Sequence, residues 1–117
     1  MSLESEEECL CPLEGIIEVI SKKWALLVIA VIGNRGKIRF SEIMKELPGI
    51  SPKTLTERLR ELEAAGLVKR KIYPEVPPRV EYSLTEDGVE LRKLIKPLLE
   101  WVASRKGLRS NQSPCLI

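Results

Sequence analysis

Histidine does not occur anywhere in this chain of 117 residues. Its absence closes the chain to Ser-His-Asp and Cys-His catalysis, to imidazole zinc sites and to histidine pH switching, unless a partner supplies the ring. Long hydrophobic runs are missing as well. The longest, Trp24 to Ile32, is nine residues, whereas a membrane-spanning helix needs about twenty. The N-terminus is acidic, without a basic stretch leading into an apolar one, so no signal peptide and no membrane association are expected and the expected location is cytoplasmic. Cysteine is scarce: Cys9, Cys11 and Cys115 lie near the ends and cannot all pair within one chain, which excludes a disulfide scaffold. Cys9-Leu10-Cys11 lacks a nearby third ligand, so no metal site is expected. The glycines form neither a dinucleotide fingerprint nor a phosphate loop, since Gly36-Lys37-Ile38 lacks the hydroxyl that normally follows the lysine. No catalytic group and no cofactor are expected.

What is present suits one domain with a real core: 44% of residues are hydrophobic and 31% charged. The net charge of +2 hides an asymmetry. Glu4, Glu6, Glu7 and Glu8 all lie in the first eleven residues, leaving 19 basic against 13 acidic side chains in residues 12–117. Residues 1–10 read as an acidic flexible leader, 11–106 as the folded domain and 107–117 as a flexible tail. A modest basic excess suits a nucleic-acid binder with local contacts, and equally many proteins with no such partner.

Cys11-Pro12 opens the first helix, with Cys11 as its cap and Ile16, Ile17, Val19 and Ile20 as its apolar part. Ser21-Lys22-Lys23 is a junction to a second helix on Trp24 to Ile32, which is apolar all round and therefore central. Gly33 to Gly36 stops it, and Ile38-Arg39-Phe40 reads as a very short strand. Ser41 caps a short helix carrying Ile43, Met44 and Leu47. Pro48-Gly49 turns the chain into a second cap, Ser51-Pro52, and a helix with Leu55, Leu59 and Leu62 on one stripe. Two short helices joined by a tight turn make a helix-turn-helix. The period then becomes alternating in Leu67 to Tyr73 and again in Arg79 to Leu84, two strands of a hairpin around the stiff loop Pro74 to Pro78. Such a hairpin is a wing. Thr85 caps a long last helix with Leu91, Leu94, Ile95, Leu98, Leu99 and Val102 on a broad apolar stripe and Trp101 beside it, interrupted by Pro97, where a kink is expected.

On the helix from Ser51, Lys53, Glu57, Arg60 and Glu61 oppose the leucines, with Thr54 and Thr56 on the flanks. Ser51, Pro52, Lys53 and Thr54 form its first turn, the part of a recognition helix that reaches base edges, and a helix start also favours phosphate. A polar helix face by itself reads first as a solvated surface; the preceding short helix and the following wing turn the reading to DNA. Arg79, carried by the rigid loop, is the candidate wing contact. Lys69, Arg70 and Lys71 serve either DNA or protection of an edge strand, and Lys37 and Arg39 are candidates for phosphate.

These residues carry a resemblance. Cys11-Pro12-Leu13-Glu14, Lys22-Lys23-Trp24-Ala25-Leu26-Leu27 and Arg39-Phe40-Ser41-Glu42-Ile43 are similar to the N-terminal half of HxlR-type transcriptional regulators, winged helix-turn-helix proteins related to MarR-type regulators. The stretch Leu47-Pro48-Gly49-Ile50-Ser51-Pro52-Lys53-Thr54-Leu55, and Tyr73-Pro74-Glu75-Val76-Pro77-Pro78-Arg79, resemble that family's recognition helix and wing. The resemblance implies a mainly α, winged helix-turn-helix fold with a small β-hairpin wing. It also implies a homodimer through the N- and C-terminal helices, and a double-stranded DNA operator with inverted half-sites as partner. The breadth of the last helix's stripe supports the dimer independently. Several family members are thiol sensors with their switch cysteine in this segment, which Cys11 matches, so the resemblance allows an oxidant or another small-molecule effector as partner while the sequence leaves the signal open. A thiol at a helix start is acidified by the helix dipole, the neighbouring glutamates oppose that, and Cys11 as a small packed capping residue stays open. The rival from another class is a winged helix that binds only protein.

Overall fold

The computed structural model describes residues 11–105. Residues 1–10 and 106–117, with Cys9, Cys115 and the expected leader and tail, lie outside the described residues, as do the side chains of residues 11–14. The elements are α1 (Cys11–Ile20), α2 (Ala25–Arg35), α3 (Phe40–Glu46), α4 (Pro52–Ala64), β1 (Val68–Tyr73), β2 (Arg79–Leu84) and α5 (Glu86–Ala103). The chain is mainly helical with a two-stranded antiparallel hairpin, as the sequence indicates.

A helix that is apolar on every side is satisfied only when surrounded, and α2 is. Ala25, Val28, Ile29, Ala30, Val31 and Ile32 are buried, and α1, α3, α4, α5 and β2 all pack on this helix. Ile43 from α3, Leu47 and Ile50 from the turn after it, Leu55, Leu59 and Leu62 from α4, and Ile95 from α5 complete the core with Ile38, Leu67 and Val68.

Several boundaries differ from the sequence expectation. α2 runs past Gly33 to Arg35 and ends at Gly36, whose amide donates to the Ile32 carbonyl at 2.8 Å. Gly33 marks where α5 crosses, since an added Cβ would lie 2.2 Å from Arg92 Cδ. Trp24 precedes the helix in the left-handed region, with φ 79°. Ile38-Arg39-Phe40 is not a strand: Ile38 makes one antiparallel bridge to Tyr82, with N···O distances of 3.0 and 2.8 Å, and Phe40 already begins α3. Ser41 is therefore inside α3 and not its cap. Arg39 holds that position, and its amide donates to Glu42 Oε1 at 2.9 Å, a carboxylate at the third helical position satisfying an open donor. Cys11 is the first described residue of α1, and the cap expected there lies at the edge of the described residues.

Thr85 caps α5 as expected and ties it to the strand start. Its hydroxyl accepts from the Gly88 amide at 3.0 Å and donates to the Gly66 carbonyl at 2.6 Å, while its amide donates to the Leu67 carbonyl at 3.0 Å. A Cβ on Gly88 would stand 2.1 Å from that Leu67 oxygen, so the helix sits this close only because the side chain is absent. α5 runs through Pro97 as one helix. No helix among the described residues is long and apolar enough to cross a membrane.

Candidate nucleic-acid interface

The turn between α3 and α4 is built by burying Leu47 and Ile50 under it. Gly49, at φ 102°, makes the reversal that an L side chain rarely adopts, and a Cβ there would meet the Trp24 ring at 3.6 Å. Ser51 then caps α4: its Oγ accepts from the Thr54 amide at 3.0 Å and donates to Thr54 Oγ1 at 3.0 Å. Pro52 follows at the helix start, where its missing amide costs nothing. The hydroxyls of Ser51 and Thr54 thus bond each other in the free protein.

Leu55, Leu59 and Leu62 are buried against α2, and the opposite edge is open. Ser51, Pro52, Lys53 and Arg60 are exposed, and Thr54 and Thr56 are half-buried on the flanks. Lys53 and Arg60 are seven residues apart, which at 100° per residue places them on one edge, about 10.5 Å apart along the axis. Arg39 is exposed beside the start of α3. Among the described residues, none of these three cations has an ion-pair partner.

Glu61 departs from the expected outward position. It receives Lys22 Nζ at 2.8 Å and Arg58 Nη1 at 2.9 Å, and Arg58 Nε donates to the Lys23 carbonyl at 2.9 Å. This cluster ties α4 to the junction that holds Trp24 in its left-handed conformation. The Lys22 ammonium, and after it the Arg58 charge, hold the Glu61 carboxyl below its ordinary value of 4.5 against the opposing effect of burial. Arg58 was not singled out from the sequence. The available signal was its place three residues after Leu55 and four before Leu62, on the leucine side of the helix.

The hairpin packs on α4 through β1. Its register pairs Val68 with Leu84 and runs out to Tyr73 with Arg79. Val68 is buried, Tyr82 and Leu84 lean on the core, and Lys69, Lys71, Tyr73, Arg79, Glu81 and Ser83 share the other face. Arg79 is not a projecting cation. Its guanidinium carbon lies 4.0 Å from the Tyr73 ring centroid, with Nη2 3.1 Å from Glu75 Oε2 and Nε 4.0 Å from Glu81 Oε2. Arg70 stands 3.9 Å from Glu63.

Of the residues expected at a dimer interface, Ile95 is buried in the core of its own chain. Leu91 and Leu99 are half-buried. Leu94 (73%), Leu98, Trp101 (51%) and Val102 are exposed on α5, and α1 exposes Ile16 and Ile17.

Comparison with known proteins agrees with this geometry. The family profile described as HxlR-like helix-turn-helix matches residues 19–109, a stretch that contains α2 to α5 and leaves Cys11 outside. A curated protein of Methanothermobacter thermautotrophicus, named an uncharacterized HTH-type transcriptional regulator, is 47% identical over 96 residues, covering 82% of this chain and 72% of the relative. Among solved structures, the redox regulator HypR in its oxidized form superimposes with a TM-score of 0.73 at 43% identity, over 81% of this chain and 97% of that one. The reduced form of the transcriptional regulator YodB from B. subtilis gives a TM-score of 0.68 at 38% identity, over 80% and 90%.

The Glu61 cluster has a pH signature. Because its folded-state value is lowered, its contribution is complete above about pH 4.5 and disappears as pH falls through the folded value. Glu61→Gln is expected to lower stability at pH 7 by less than about 1 kcal/mol, as befits a partly solvated pair. The gap to the unaltered chain should narrow as pH falls below about 4.5, and denaturant melts across pH 3–8 check both.

Proposed function

Because the chain belongs to the HxlR-like helix-turn-helix family, whose curated relatives are named transcriptional regulators, we propose that it controls transcription as a homodimer on double-stranded DNA with inverted half-sites. α4 enters the major groove with Ser51, Pro52, Lys53 and Thr54 leading, and Thr56 and Arg60 follow along the same groove. Arg39 meets phosphate beside them, and the hairpin makes the second contact. The observation that carries this reading is the division of α4 into a sealed leucine edge and an open edge whose two cations, Lys53 and Arg60, are uncommitted. Phosphate offers such cations counterion release that no solvent contact does.

Two copies join through α5 and α1. Leu94, Leu98, Trp101 and Val102 form a large apolar surface, with Ile16 and Ile17 on α1 as its counterpart, and Leu91, Ile95 and Leu99 support it from the core side. Single exposed apolar residues need no explanation, but a run of them along one helix does.

A thiol response through Cys11 completes the proposal. Its support is the Cys11-Pro12 pair in the sequence, which suits a helix start where amides and the helix dipole favour thiolate, together with the names of two relatives: HypR is a redox regulator, and YodB has been solved after diamide treatment.

Lys53→Ala and Arg60→Ala are each expected to weaken binding to a duplex selected by the protein, by about 1–3 kcal/mol where the side chain reads a base, with melting unchanged. For the parent chain, the logarithm of affinity should fall linearly with the logarithm of salt, by about 0.9 per phosphate neutralised; a protein that uses its winged helix only for protein contacts gives no such line. Diamide should change the affinity of the parent chain and leave that of Cys11→Ser alone. An identical response of both removes the thiol part.

A further inference from the structure

We infer that Arg79 is a positioning residue that locks the wing into one rigid body, and that the wing's own phosphate contact is made by Lys69. The inference rests on the operator-binding reading and refines it.

A two-stranded ribbon is marginally stable by itself, and the outer half of this one has no core beneath it. Ile72 is half exposed, Val76 at the tip is fully exposed, and all of residues 74–78 face solvent. Rigidity there has to come from the polar face, and the contacts converge on Arg79. Its guanidinium stacks on Tyr73, its partner in the last pair of the ladder, reaches Glu75 inside the loop at 3.1 Å and lies 4.0 Å from Glu81 on its own strand. One side chain therefore ties the end of β1, the loop and β2 together. The Glu75 amide closes the same corner by donating to the Tyr73 carbonyl at 2.8 Å.

The arrangement also disarms Arg79 as a phosphate ligand. Two carboxylates flank one guanidinium, so the cluster offers DNA no positive charge, and reaching a phosphate means breaking the ring stack and the Glu75 pair. Lys71 is directed to the same ring, with Nζ 5.1 Å from its centroid, and faces Glu81 across the ladder; Arg70 is beside Glu63. Lys69 is different. It is exposed, stands opposite the neutral Ser83, and has no ion-pair or ring partner among the described residues.

The test uses the full chain, a fluorescent duplex selected by it from a random pool, and anisotropy titrations over a range of KCl. Arg79→Ala and Tyr73→Leu should each lower affinity about three- to tenfold, the scale of a partly desolvated cation–ring contact, with the salt slope unchanged. The double variant should be no weaker than either single one, because both break the same lock. Lys69→Ala should flatten the slope by about 0.9. Amide exchange of β1 and β2 without DNA should accelerate in Arg79→Ala and in Tyr73→Leu alike.

Flattening of the slope by Arg79→Ala with parental binding by Tyr73→Leu would overturn the positioning role. So would multiplicative losses in the double variant, or unchanged affinity in Arg79→Ala. An unchanged slope in Lys69→Ala overturns the assignment of the contact. If the parent chain shows no salt-dependent duplex binding, the operator reading fails instead, and amide exchange alone decides whether Arg79 locks the hairpin.

Discussion

Everything outward on α4 depends on what its inner edge is doing. Leu55, Leu59 and Leu62 are buried on the α2 core, and burial of each such side chain contributes about 2 kcal/mol. Exposed and half-exposed ion pairs contribute less than about 1 kcal/mol each. The leucines therefore hold the helix in place, and the cluster of Lys22, Arg58 and Glu61 sets its orientation against the α1–α2 junction. That junction carries a cost of its own, since Trp24 sits in the left-handed region, at about 1–2 kcal/mol for a residue with a side chain. Arg58, bonded to the Lys23 carbonyl, braces that turn beside the packing of Trp24 on the core.

The pairing of charges says more than their sum. Arg35 is bound to Glu46 at 2.8 Å, Arg58 to Glu61, Arg70 lies beside Glu63, and Arg79 is enclosed by Tyr73, Glu75 and Glu81. These guanidiniums join one element to another. Among the described residues Lys53, Arg60, Arg39 and Lys69 have no ion-pair partner and lie on α4, beside α3 and on β1, the elements of the helix-turn-helix and wing; Lys37, Lys45 and, on α5, Lys93 and Lys96 are exposed and unpaired as well. A net charge of +2 conceals this pairing of the arginines that join elements with nearby carboxylates.

The parts of the fold legible in the sequence are those written in short-range chemistry. Ser51-Pro52 and Thr85 announce helix starts through their own hydroxyls and ring, and the leucine spacing on α4 reports its buried edge. The alternation after Gly66 marks the hairpin. The parts that were not legible depend on a distant partner. Gly33 and Gly36 are equal candidates for the end of α2, and only the crossing of Arg92 over Gly33 separates them. Ser41 and Arg39 are rival caps for α3, decided by the bridge from Ile38 to Tyr82 that ends the preceding segment. Arg79 follows two prolines in sequence and looks free; its partner lies six residues back across a loop, and appears only once the strand register is known. Glu61 reads as solvent-facing by helical angle alone, because the junction that covers it belongs to another helix.

The central claim is that the open edge of α4, with the adjoining β1, is the surface that meets DNA. A titration of the isotope-labelled chain with a selected duplex, followed by amide chemical shifts, tests it most directly. The account predicts the largest changes at residues 51–60 and 69–71, with the exposed apolar side of α5 from Leu94 to Val102 unaffected. Changes centred on α5 with a silent α4 edge would contradict it.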